Sequence, residues 1–292
     1  MSNQESKFSR RDFLGAVAAV STVAMAANSC AKKGAELPVL AAQAPDGAPI
    51  KAGLIGCGGR GTGAAKDFLK AGNNLVITAI GDTFQDRLDS CREHLKKEGQ
   101  NINDDRCFVG LDAYKRVIDA GVDLVIMATP PYFRPEHFAA AIDAGKHVFM
   151  EKPVAVDPMG AKQILQTAEQ ATQKGLSVVT GNQRRNQYHY LKALQMIRNG
   201  AIGDLVGGQV YWNQSQLWYK ERQKGWSDME WMIRDWVNWV WLSGDHIVEQ
   251  HVHNIDVMNW FMNAHPVKAV GMGGRARRVT GDQYDFFAVD YE

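Results

Sequence analysis

Cysteine is scarce in this chain of 292 residues: only Cys30, Cys57, Cys91 and Cys107 are present, and no two stand as CxxC. That excludes a disulfide framework and a zinc ribbon. An excess of one charge is lacking too, since 33 basic residues meet 32 acidic ones for a formal net charge of +1. Nothing in that balance suggests electrostatic capture of nucleic acid or of an anionic membrane. The apolar run within residues 13–27 is too short and too rich in alanine to span a bilayer. What remains is chemistry on a small molecule, in a chain long enough for two domains of ordinary size.

Residues 1–30 read as an export signal. Arg10-Arg11 precedes the apolar run, and Ser9-Arg10-Arg11-Asp12-Phe13-Leu14 resembles the twin-arginine consensus. Two exits follow. Ala24-Met25-Ala26 fits a signal-peptidase site, whereas Ala27-Asn28-Ser29-Cys30 is an imperfect lipobox that would leave a lipid anchor on Cys30. Both stay open, and either destination is the periplasm. This route carries folded proteins, which suits one that takes up a cytoplasmic cofactor before crossing. Residues 31–49, aperiodic and rich in Ala, Pro and Gly, read as a tether.

Order begins near Lys51. Val/Ile/Leu-rich strands such as "KAGLI", "NLVITAIGD", "VDLVIMATP", "HVFME" and "SVVTGN" alternate with amphipathic helices, two of them opened by Pro and closed by Gly. That rhythm predicts a doubly wound parallel sheet of Rossmann type over residues 50–182, covered on both faces. From 183 to 292 the pattern predicts an α+β domain. "VGGQVYWNQSQLW", "VKAVGMGGRARRV" and "YDFFAVDYE" read as strands of a largely antiparallel open sheet, with one helix over 245–262 between the first two.

Gly56-Cys57-Gly58-Gly59-Arg60-Gly61 follows a strand and opens a helix. Its glycines permit a tight turn and let backbone N–H groups and a helix dipole meet a pyrophosphate. Asp82 ends the next strand, where a carboxylate accepts hydrogen bonds from adenosine ribose hydroxyls and favours NAD over NADP; the alternative is that it caps the following helix. Ligands of such sheets lie beyond the carboxyl ends of the strands. Thr129-Pro130-Pro131 and Glu151-Lys152-Pro153 both stand at such ends.

This order of glycine loop, "ATPP", "AGKHV" and "EKP" resembles the Gfo/Idh/MocA oxidoreductase family, over essentially all of Lys51 to Glu292. The resemblance implies that Lys152 lies near the nicotinamide and the substrate, supported by Glu151, that Pro130 and Pro131 line the nicotinamide pocket, and that the Lys152-Pro153 bond is cis. Members usually continue well past the point matching Glu292. The resemblance therefore implies a second sheet that is cut short here, and a sheet-to-sheet homo-oligomer at full length.

Projected at 100° per residue, Asp245, His246, Glu249, His253, Asp256 and Trp260 fall on one wall of the 245–262 helix, a wall without lysine or arginine. A stripe of carboxylates and histidines with a tryptophan suits a pocket lining; satisfaction of buried polar groups is the alternative. The family carries an acid, a histidine four residues on and then "HxxD", which matches Glu249, His253 and Asp256, with Glu where Asp is more frequent. Oxidising a secondary alcohol needs a base, and imidazole suits that task. His253 is then the base, Glu249 or Asp256 fixes its tautomer, and Lys152 stabilises the developing alkoxide. Asp245, Glu249 and His253 could instead hold a divalent ion, but the nicotinamide is the electron sink without one, so no metal is assigned.

Arg185, Asp245, His246 and Trp236 complete the expected substrate contacts; Arg185 could equally pair with an acid, and Trp236, Trp239 and Trp241 could be core. The leading expectation is an exported NAD(P)-dependent oxidoreductase acting on a sugar, polyol or glycoside hydroxyl. Its rivals are an NAD-dependent glycosidase working by transient oxidation and a non-enzymatic sugar-binding protein.

Overall fold

The computed structural model describes residues 47–292, so the expected signal, Cys30 and residues 31–46 of the tether lie outside the described residues. Six strands, β1 (Ile50–Ile55), β2 (Leu75–Asp82), β3 (Cys107–Val109), β4 (Leu124–Met127), β5 (His147–Met150) and β6 (Val178–Thr180), form one sheet. All are parallel, in the order β3-β2-β1-β4-β5-β6. The expected Rossmann topology is therefore present, with its switch point between β1 and β4.

Parallel strands need crossovers, and the amphipathic segments supply them: α1 (Gly59–Lys70), α2 (Gln85–Lys97), α3 (Ala113–Asp119), α4 (Arg134–Asp143) and α5 (Pro158–Gln173). One core cluster packs Leu54, Ile80 and Ile126 against Leu88 and Leu95 of α2. The other packs Val125, Met127 and Met150 against Val117 of α3 and Phe138 and Ile142 of α4. With both faces buried, the strands read as continuous apolar runs. The start of α5 is fixed by Asp157, which accepts the Gly160 N–H at 2.7 Å, and by Pro158 in the first turn.

Register sets the ends of the central strands level. Ile55 pairs with Met127 and Met127 with Met150, so Gly56, Ala128 and Glu151 leave the sheet side by side. Gly56 turns there at φ +95°, and a Cβ on it would stand 2.7 Å from the backbone at Ala128 and Thr129. Only glycine fits that approach.

By compactness, residues 188–206 group apart from residues 47–187 and 207–292; they contain one helix, α6 (Tyr188–Arg198). In the larger unit follow α7 (Asp228–Arg234), α8 (Val240–Ser243), a π-helical turn at Ile247–His251, α9 (Val252–Met262), and an antiparallel pair, β7 (Ala269–Gly274) and β8 (Phe286–Tyr291). No described helix is long and apolar enough to cross a membrane.

Two expectations are corrected here. "VGGQVYWNQSQLW" is not a strand: residues 206–218 carry no regular structure. A strand needs a neighbour to take its N–H and C=O groups, and this segment is tied instead by scattered side chains, Asn254 to the Tyr211 carbonyl and Asn238 to the Trp218 carbonyl. Nor is 245–262 a single α-helix. Asp245 opens it at φ +70°, and a π-helical turn precedes α9.

The close approach of α1 to the glycine turn yields a prediction. A Cβ at Gly61 would lie 1.8 Å from the Gly56 carbonyl oxygen, so Gly61→Ala is expected to lower the unfolding free energy by about 1–3 kcal/mol. Urea titration followed by circular dichroism measures it; an unchanged midpoint would show that the turn yields freely.

Candidate active site

At the glycine loop, Gly58 caps α1 without a side-chain hydrogen bond, and the first turn contains no acid. A Cβ on Gly59 would meet nothing within 4 Å, and one on Gly58 only the Arg87 guanidinium at 4.0 Å. The helix N-terminus thus opens on space with free donors, a cradle that suits a pyrophosphate. Asp82, at the tip of β2, accepts the Cys57 N–H at 2.7 Å and the Phe84 N–H at 2.9 Å. It braces the loop from beneath and does not cap α2, whose cap position is Phe84. Burial pushes its carboxyl above the ordinary range, against the pull of those two N–H groups.

Arg60 reaches from the loop to Glu151, Nε to Oε1 at 2.7 Å. The Glu151 carboxylate is buried, and a Cβ on Gly181 would come within 2.6 Å of it. Thr129 sets its hydroxyl 3.4 Å from His137 Nδ1. Pro130 leads into a 3-10 turn opened by the buried Pro131, and Tyr132 of that turn meets Trp241 edge-on at 5.1 Å.

Lys152 follows, and its bond to Pro153 is cis. Its ammonium donates to Glu249 twice, to Oε1 at 2.9 Å and to the main-chain carbonyl, and both side chains are largely buried. Gln250 donates to the other Glu249 oxygen. Glu249 is therefore the partner of Lys152, not of His253 as the sequence suggests. Asp256 does not hold the imidazole either: Arg185 takes it in a fork, Nε at 2.9 and 3.1 Å and Nη2 at 2.7 Å, and the same guanidinium lies over Trp260 at 5.4 Å.

His253 is buried against the ring of Trp212, 5.4 Å between centroids and 23° from parallel. Burial pushes its pKa down to about 4, with the charges of Lys152 and Arg184 acting in the same direction. At neutral pH it is an uncharged imidazole, free to accept a proton.

The expected single wall divides in two. Asp245 turns to the loop before β8, accepting the Tyr284 N–H at 3.0 Å as well as that of His246. His246 packs edge-on against His251, which meets Phe287 of β8. Burial and the charges of His251, Arg278 and Lys152 bring His246 to about 4. The left-handed Asp245 and the π-helical turn break the 100° rotation on which the projection rests. Trp236 meets Trp218 edge-on at 6.1 Å, one tryptophan against another. Among the described residues no three His, Cys, Asp or Glu side chains are grouped to hold a metal.

Sequence reasoning overlooks Trp212, Gln250 and Arg134. Trp212 stands in a segment whose pattern predicts a strand, and that pattern says nothing of an approach to His253; Gln250 carries the weak signal of adjacency to Glu249. Arg134 is taken up below.

With this geometry in view, comparison with known proteins is direct. Residues 50–180 match the model of the Gfo/Idh/MocA oxidoreductase family, NAD-binding Rossmann fold. This segment is similar to the NAD-binding domain of that family. A glycosyl hydrolase family 109 protein of Shewanella sp. strain ANA-3 is 29% identical over 220 residues, 72% of this chain and 47% of that protein. An α-N-acetylgalactosaminidase of Shewanella oneidensis has the same identity and coverage. The chain spans about half the length of these curated relatives. Among solved structures, a scyllo-inositol dehydrogenase of Lactobacillus casei with bound NAD(H) and scyllo-inositol has a TM-score of 0.57 at 23% identity, over 78% of this chain and 60% of that one. That likeness speaks for the fold. Within the matched segment, the cradle at Gly58 and Gly59 suits the dinucleotide that such a fold takes.

Buried neutral histidines set a pH dependence. His137, His246 and His253 titrate at about 3, 4 and 4 in the folded protein, against 6.5 when free. Between those values the unfolded chain binds protons that the folded one refuses, so their contribution is full above about pH 6.5 and is lost as pH falls towards 4. Asp82 and Asp245, raised by burial, act oppositely nearer the carboxylate range. The urea midpoint is expected to fall steadily from about pH 7 to about pH 5, less steeply in His253→Asn. A flat profile would contradict neutral burial.

Proposed function

We propose that the whole chain belongs to the Gfo/Idh/MocA family and is an exported NAD-dependent oxidoreductase acting on a hydroxyl-bearing carbon of a sugar, polyol or glycoside. The observation that carries the reading is Lys152: at the carboxyl end of β5, ion-paired to Glu249, with an uncharged His253 one turn further along the helical segment and under its charge. A bound nicotinamide would supply the hydride acceptor. The chain's own residues then divide the remaining work. Amides at Gly58 and Gly59 hold the diphosphate, Lys152 steadies negative charge growing on the substrate oxygen, and His253 receives the hydroxyl proton. Asp256 and Arg185, satisfied by one another, form a polar wall near His253 rather than a charged partner for it.

A second reading has a specific observation behind it, the names of the Shewanella relatives. A glycosidase would use the same lysine and imidazole while hydride passed from one ring carbinol carbon to a bound oxidised nicotinamide, which would acidify the neighbouring C–H and let the leaving group depart by elimination; water would then add and the hydride would return. Sugar released from a glycoside without net reduced nicotinamide would select that reading. Reduced nicotinamide formed in proportion to substrate selects the dehydrogenase.

In either case Lys152→Ala and His253→Asn are expected to lower turnover by about 10²–10⁴ while NADH titration by fluorescence changes only a few-fold. Unaltered turnover in His253→Asn would remove His253 as the base, and wild-type protein that binds sugar without turnover would leave a sugar-binding protein as the better account. Export through the twin-arginine route, with Cys30 the candidate for lipidation, rests on Arg10-Arg11 and the apolar run after them. Replacing both arginines by lysine is expected to retain the protein in the cytoplasm, as cell fractionation would show. Periplasmic recovery of that variant would end the proposal.

A further inference from the structure

Arg134 is the first residue of α4 and is only 3% exposed. Among the described residues no carboxylate takes its guanidinium. Instead a single nitrogen, Nη1, donates to the carbonyls of Glu151, at 2.9 Å, and of Pro153, while Nε is buried without a partner. Those two carbonyls stand on either side of Lys152.

Three local considerations oppose a cation there. Burial removes the guanidinium from water and brings its pKa down to about 10, although Glu151 and Glu249 pull the other way. The positive end of a helix dipole disfavours positive charge at the first residue. One N–H goes unpaired where an apolar side chain would leave none. An apolar residue would also suit the surroundings, since Pro135 and Phe138 beside it on α4 are buried. What the arginine alone provides is a rigid, permanently charged donor that two main-chain oxygens can share.

The rest of the loop is pinned by weaker means. The Glu151 N–H bonds to the Met127 carbonyl, and the Glu151 carboxylate to Arg60 from the solvent side. Neither contact acts after residue 151. Arg134 is the contact that bridges Lys152.

We infer that Arg134 is a positioning residue: from beneath the loop it fixes the backbone on both sides of Lys152, so that the ammonium leaves the sheet in the direction of Glu249. The inference rests on the functional reading above, because a placed lysine matters if Lys152 meets a reacting oxygen. Arg134 itself touches no such atom.

The test compares wild type, Arg134→Met and Arg134→Lys, each checked for folding by circular dichroism. Readouts are amide hydrogen exchange over residues 151–156, the acylation rate of Lys152 by acetic anhydride quantified on its peptide, NADH binding, and steady-state turnover. Arg134→Met is expected to speed exchange and acylation by about tenfold or more, as the loss of two charge-assisted hydrogen bonds implies. NADH affinity should stay within about threefold, and kcat should fall by about a hundredfold with KM little changed, the mark of a misplaced group. Arg134→Lys, which keeps the charge but carries its nitrogen one bond short of the Nη1 position, should fall between. If Arg134→Met fails to fold, the lysine variant carries the comparison alone. Exchange and acylation at wild-type rates in the folded variants would overturn the inference, whatever happens to the melting temperature. A wild-type protein that binds no NADH would instead overturn the functional reading while leaving the loop measurements to be read on their own.

Discussion

The ion pair between Lys152 and Glu249 joins the two parts of the molecule that matter for chemistry, the carboxyl edge of a parallel sheet and the helical segment facing it. Both side chains are largely buried, so neither charge can stand alone: separating them would strand an ammonium or a carboxylate away from water. The pair therefore dictates register. Once Lys152 donates to both the carboxylate and the main-chain carbonyl of Glu249, the azimuth of the π-helical turn is set, and with it the place where α9 begins and where His253 lies.

From that constraint the electrostatics follow. His253 lies under the charges of Lys152 and Arg184 and is shielded from solvent by Trp212, which together hold it neutral. Asp256 pulls the other way but is outweighed, its two oxygens already taken by Arg185. The result is an uncharged imidazole close to an ammonium, the pairing that the proposed function needs if a hydroxyl's proton and its negative charge are to be taken by different groups.

Much of the NAD-binding domain was legible in the sequence because its signals are local. Continuous apolar strands, a Pro or Asp at helix starts and a glycine loop after the first strand each depend on residues close in the chain, and parallel pairing then brings Thr129 and Glu151 to one edge with no further information. The site was legible in its membership and less so in its pairings. Projection at 100° assumes an unbroken α-helix, and the left-handed Asp245 with the π-helical turn after it breaks that assumption, so Glu249 meets Lys152 and Asp245 meets the loop before β8. Trp212 and Arg134 were illegible for another reason. Their roles come from contacts made across long stretches of chain, and nothing periodic announces them. The strand expected at residues 206–218 failed for want of a partner: alternation describes a face, but only a neighbour makes a sheet.

The choice of glutamate at 249 now has a physical sense. An ammonium carries three N–H donors. Glu249 takes two of them, one on its carbonyl and one on its carboxylate, and it can do so from a single residue because two methylenes let the side chain fold back beside its own backbone. An aspartate, one methylene shorter, would have to yield either the carbonyl or the carboxylate. With both contacts made by one residue, the lysine is held in two directions while its third N–H stays available for an oxygen that neither the sheet nor the helix provides. On the proposed reading, a hydroxyl losing its proton to His253 would be such an oxygen, and it would arrive where the ammonium is already oriented and already desolvated, so that little reorganisation would remain to be done when the negative charge appears.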